Sequence, residues 1–104
     1  MKKNDLLDDQ QIIRFLKNNK SFLFQHYHLK KLGIFGSYAK QSFTELSDID
    51  IIIEIEENTP NIYELKQELR QYLEQNLHKK IDLAREKYLK PRKKNKIIRE
   101  TIYV

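Results

Sequence analysis

Gly36 and Ser37, then Asp48 and Asp50, then Asp82 stand at spacings that could handle a phosphate ester. Asp48 and Asp50 alternate at the start of a β-branched run, and on a strand such side chains point the same way, about 6.6–7 Å apart. They form a carboxylate pair on one face. Two such charges side by side repel, and at neutral pH a cation or a proton must relieve them. Hard divalent cations with oxygen ligands suit the task, and Mg²⁺ is held by one or two carboxylates together with substrate phosphates. If the segment bearing Asp82 lies beside this strand, a third carboxylate joins the face, and three can hold two metal ions about 3.5–4 Å apart.

The Gly36-Ser37 turn supplies the other half of the chemistry. Glycine lets the backbone approach an anion closely, and the amides that follow and the Ser37 hydroxyl can donate to phosphate oxygens. A helix starting at Ser37 or Tyr38 would add its field, and Lys40 or Lys31 would offset further charge. Each feature alone reads as a turn or a cap. With glycine at about 7% of residues and the others similarly frequent, the Gly-Ser and Asp-x-Asp combination at fixed spacing arises by chance in about one such chain in a thousand. The combination points to a nucleoside triphosphate bound as its metal complex.

Positioning these residues requires an ordered set of elements. The spacing of Ile12, Ile13 and Leu16 predicts a helix over Asp8–Asn19, capped by Asp8 or Asp9. Ser21–His28 reads as a second short helix, and Lys31–Phe35 as a strand with Leu32 and Ile34 on one face. Asp48–Glu56 is the clearest strand: Ile49, Ile51, Ile53 and Ile55 share one face, Asp48, Asp50, Ile52, Glu54 and Glu56 the other. Glu54 and Glu56, further along the carboxylate face, read as solvated. A turn at Asn58–Asn61 leads to a helical stripe of Ile62, Leu65, Leu69, Tyr72, Leu73 and Leu77. Lys79–Ala84 reads as a third strand, and the tail as helical to about Tyr88, broken near Pro91, then helical or extended to Val104. This alternation predicts an α/β (α+β) domain, a small mixed sheet with helices packed on one face.

The chain has 104 residues and 39% hydrophobic side chains, which favours one domain over residues 1–104. The absence of cysteine excludes disulfides, thiolate metal sites and thiol nucleophiles. No apolar run approaches the roughly 20 residues that cross a bilayer, and MKKNDLLDDQ lacks the apolar core of a signal peptide, so a cytoplasmic protein is expected. Ten lysines and arginines fall between Lys79 and Arg99, opposed only by Asp82 and Glu86. That bias suits an anionic partner, possible RNA docking included, or a solvated helix face. His26, His28 and His78 lack metal-ligand spacing. Phe22, Phe24, Tyr27 and Tyr88 could stack on a base, though nothing distinguishes one of them.

From Gly36 the chain reads G-S-Y-A-K, from Ser47 S-D-I-D, from Lys80 K-I-D-L, and it closes on I-I-R-E-T-I-Y-V. Over most of its length it resembles the nucleotidyltransferases of the DNA polymerase β superfamily, specifically their minimal single-domain (MNT) members. The resemblance implies a polymerase β-like fold. It implies that Gly36 and Ser37, with Lys40, contact the triphosphate of ATP, that Asp48 and Asp50 bind both of two Mg²⁺ ions, and that Asp82 holds the one that activates the nucleophile. It also implies a partner, a HEPN-domain toxin with ribonuclease activity, with the MNT protein as antitoxin transferring AMP to a toxin tyrosine. Two residues depart from the pattern: Lys40-Gln41 stands where relatives commonly carry Arg-Gly. Inhibition of the toxin by binding alone, and nucleotidyl transfer to RNA, are the alternatives.

Overall fold

The isoleucine run forms β2, Ile49–Ile55, an inner strand of a four-stranded sheet. The computed structural model describes residues 7–104. On one side β2 pairs antiparallel with β1 (Leu29–Phe35), and on the other parallel with β3 (Ile81–Arg85). A parallel neighbour needs a crossover, and α4 (Ile62–Leu77) provides it. The last strand, β4 (Ile102–Tyr103), pairs antiparallel with β1, giving the order β3-β2-β1-β4.

The expected alternation holds in β2: Ile49, Ile51, Ile53 and Ile55 are buried in the main core. Against them pack Ile12 and Leu16 of α1 (Asp9–Asn18), Leu23 of α2 (Lys20–His26), Tyr38 of α3 (Gly36–Lys40), and Leu69, Leu73 and Leu77 of α4. Burial of this kind is worth roughly 1.5–3 kcal/mol per large aliphatic side chain and drives the layering. Asp8, not Asp9, caps α1, exchanging hydrogen bonds with Gln11 in a capping box. The small mixed sheet with helices on one face is the architecture the sequence predicted. Ile52 is the exception in the alternation. It lies on the opposite face, between Gly33 and Ala84 in register, and is also buried.

The tail departs from expectation. β3 runs through Arg85 and is followed by a single 3₁₀ turn, Glu86–Tyr88, where a helix was expected. The cause is Glu54: its carboxylate accepts from Arg85 Nε and Nη2 at 3.2 and 2.8 Å and from the Lys87 amide at 2.9 Å. Glu54 is therefore pinned and largely buried, not solvated as its place on the polar face suggested. Pro91 then opens α5 (Pro91–Glu100) at a position where its missing N–H costs nothing. β4 can close on β1 because Gly33 lacks a side chain: a Cβ there would lie 2.7 Å from the Ile102 carbonyl oxygen.

Candidate active site

Phe35, the last residue of β1, is in register with Asp50, and Asp50 is in register with Asp82. One end of three neighbouring strands thus carries the residues singled out by the sequence. Gly36 follows Phe35 with φ at +71°, a conformation that disfavours any side chain. A Cβ there would also collide with the Asp50 carboxyl group, standing 2.9 Å from its carboxyl carbon. Glycine is required twice over, by its backbone angle and by the carboxylate lying against it.

α3 begins at Gly36 itself and is only five residues long, so the amides of the turn matter more than any helix field. The Ser42 N–H donates to the Ser37 carbonyl at 2.9 Å and closes the turn. Gln41, standing where the family pattern has glycine, keeps the left-handed backbone at φ +60°. Its side-chain amide donates to the buried Asp9 carboxylate at 3.2 Å, a contact that offsets the strain.

The approach to β2 is stitched at the same end. Ser47 accepts from the Thr44 amide at 2.9 Å and donates its own amide to the Thr44 carbonyl at 3.0 Å. Lys79 Nζ donates to the Glu45 carbonyl at 2.8 Å, tying the entry of β3 to this loop. Asp48 emerges exposed from that loop. Asp50 is half-buried, and burial first, then the charges of Asp82 and Asp48, push its carboxyl from 3.8 up to about 6. Asp48, Asp50, Asp82 and Gly36 are brought together.

Among the described residues no three acidic or histidine side chains form a self-sufficient metal cage. What the strands present is two adjoining carboxylates with a third charge nearby, all hard oxygen donors. That set fits Mg²⁺, which completes its shell with water and phosphate oxygens.

Of the two lysines suggested for phosphate, only Lys40 is at the turn, its Nζ 4.0 Å from Glu100 of α5. Lys31 lies at the far end of β1 and is bonded to Glu86 at 2.9 Å. Beside Gly36 a cleft of about 350 Å³ opens, lined by Phe35, Lys40, Lys93, Lys96 and Glu100 among others. No local signal separates Lys93 and Lys96 from the rest of the basic run, and the aromatic side chain at this cleft is Phe35, not Phe22, Phe24, Tyr27 or Tyr88. Phe22 and Tyr27 instead join Phe15 and Tyr72 in an aromatic cluster of α1, α2 and α4. A wider cleft of about 460 Å³ surrounds Glu54, Arg85, Lys31 and Glu86, but those four charges are already paired.

Residues 11–104 match the nucleotidyltransferase domain family. The chain belongs to that family. This nucleotidyltransferase is 32% identical over 99 residues to the protein adenylyltransferase MntA of Thermococcus cleftensis, covering 95% of this chain and 98% of that one. Its fold superposes on the solved structure of a proposed minimal nucleotidyltransferase with a TM-score of 0.78 at 26% identity, covering 92% and 95% of the two chains. It also matches one chain of a toxin–antitoxin crystal structure with AMP-PNP, with a TM-score of 0.62 at 25% identity over 93% of this chain and 72% of that one. The fold is the polymerase β-like nucleotidyltransferase fold. No helix among the described residues is long and apolar enough to cross a membrane.

Proposed function

We propose that this chain, acting as one minimal domain, transfers AMP from ATP to a tyrosine hydroxyl of a HEPN-domain toxin in the cytoplasm and so acts as its antitoxin. The observation that carries the reading is Asp50, wedged between the Gly36 turn and Asp82 with its carboxyl raised to about 6. Carboxylates placed to repel one another store an electrostatic demand that a cation-bound substrate relieves. The relatives named above agree with the donor and the acceptor class: one is named a protein adenylyltransferase, and one was crystallised with an ATP analogue.

Asp48 and Asp50 would hold two Mg²⁺ ions, and Asp82 would help to hold one of them. Bound there, Mg²⁺ supplies charge neutralisation of the phosphates and acidifies a bound hydroxyl. The remaining steps belong to the protein. Gly36 and Ser37 offer backbone amides and a hydroxyl to the phosphates, and Lys40 adds a cation beside them. The tyrosine hydroxyl has an ordinary pKa of about 10. Asp82, exposed on the edge strand, accepts its proton as the oxygen attacks the α-phosphorus, and pyrophosphate departs on the Gly36 side.

The test is incubation with the HEPN partner, labelled ATP and Mg²⁺. Label on the partner that is lost in Asp48→Ala and Asp50→Ala supports the reading. Tight binding of the partner with no label replaces it with inhibition by contact, and label on RNA replaces the acceptor.

A further inference from the structure

We propose that Lys93 and Lys96 of α5, with Lys40, form the seat of the nucleotide's β- and γ-phosphates and hence of the departing pyrophosphate. The proposal deepens the nucleotidyl-transfer reading and rests on it for the identity of the ligand. Its observations are separate. Positions 93, 96, 97 and 100 follow the i, i+3, i+4, i+7 spacing of one helix face, and all four line the cleft that also contains Phe35, Gly36 and Lys40. The basic run is thereby divided, because Lys94 lines the different cleft around Glu54 and Arg85.

Sheet order gives the site a direction. From one edge to the other stand Asp82 on β3, Asp50 on β2, and the Phe35-Gly36 end of β1, with the α5 cleft beyond. An α-phosphate held over Asp50 and Asp82 leaves its β- and γ-phosphates to run past Gly36, whose missing Cβ keeps that side of the Asp50 carboxyl open. They then enter a cleft with three lysines and one carboxylate. Among the described residues neither Lys93 nor Lys96 has a carboxylate within salt-bridge distance, and Lys40 has only Glu100, at 4.0 Å. Lys40 can therefore exchange a weak partner for a phosphate.

In the reaction the acceptor oxygen forms a bond to the α-phosphorus and the bond from that phosphorus to the bridging oxygen breaks. Its electron pair leaves on pyrophosphate, and the acceptor proton passes to Asp82 and on to water. Negative charge grows on the bridging and β-phosphate oxygens, beside the lysine cluster, so the same cations bind the nucleotide and stabilise the leaving group.

Inorganic pyrophosphate, ATP and AMP, each with Mg²⁺, are titrated calorimetrically into the full chain, the K93A/K96A variant and an R92A/K94A control that removes the same charge. The double variant is expected to bind pyrophosphate and ATP about ten-fold more weakly, from two partly exposed ion pairs. AMP affinity and melting temperature stay unchanged, since both lysines are exposed. Wild-type pyrophosphate affinity in K93A/K96A overturns the proposal, as does an equal loss in R92A/K94A or no pyrophosphate binding by the wild type. If pyrophosphate binding falls as expected but no protein is adenylylated, the phosphate seat stands and the acceptor reading falls.

Discussion

Replacing Asp50 with Asn should make the free protein more stable while abolishing its activity. In the fold this carboxyl titrates at about 6 against an ordinary 3.8, about two units, and each unit is worth about 1.36 kcal/mol. The raw figure of about 3 kcal/mol falls to about 1–2 kcal/mol because water still reaches the half-buried group. The folded state holds the proton more tightly than the unfolded one. The stabilisation is therefore complete below about pH 3.8 and lost as pH rises through about 6. Asn carries no such loss. Urea titrations of both proteins from acid to neutral pH should show nearly equal stability in acid and a gap that opens to about 1–2 kcal/mol by neutrality. In melting temperature that is about 4–8 °C per kcal/mol for a domain of this size. Magnesium should raise the melting temperature of the wild type and leave the variant unmoved. A variant that melts at or below the wild type at neutral pH, or a gap independent of pH, refutes the electrostatic reasoning.

Gly36→Ala should cost about 2–4 kcal/mol in denaturant unfolding, from the left-handed backbone and the collision with Asp50. In an Asp50→Gly background the cost should drop by about 1 kcal/mol or more, a coupling that a double-mutant cycle reads directly. Glu54→Gln should lose about 1–2 kcal/mol at neutral pH. Burial alone would raise this carboxyl, but Arg85 and the Ile55 and Lys87 amides hold it below 4.5. Its contribution is thus present above about 4.5 and lost in acid, so the two proteins should converge there in urea titrations. His78 ends α4 in the left-handed region at φ +57°. His78→Gly should gain about 0.5 kcal/mol in thermal melts with transfer activity unaltered.

Much of the site could be read without coordinates because strand alternation is local information. The isoleucines of β2 fix which face is buried, and the same period places Asp50 opposite them. Placing Asp82 beside Asp50 required only that β3 lie next to β2, which the intervening helix made the natural topology. Other features depend on contacts distant in sequence. Glu54 looked solvated because its partner Arg85 lies 31 residues away. β4 is two residues long, too short for any period, and forms because Gly33 leaves room. Lys93 and Lys96 were indistinguishable from their basic neighbours until Pro91 set where α5 begins, and hence which side chains share its face. Gln41 marks the limit of motif reading: it stands where the family pattern has glycine, yet it takes a left-handed backbone with its side chain bonded to Asp9.

Parallel pairing of β2 with β3 carries an all-or-nothing consequence. Because neighbours on a strand face opposite ways, sliding β3 by a single position would present Ile81 or Leu83 beside Asp50 and send Asp82 to the oily side. Both ends of β3 are clamped against such a slide, Ile81 through its amide to Glu74 and Arg85 through its guanidinium to Glu54. Inserting or deleting one residue between His78 and Lys80 pits those clamps against the alignment of the acids. Variants of this connector should therefore divide sharply into competent and inert, with few of intermediate activity between them.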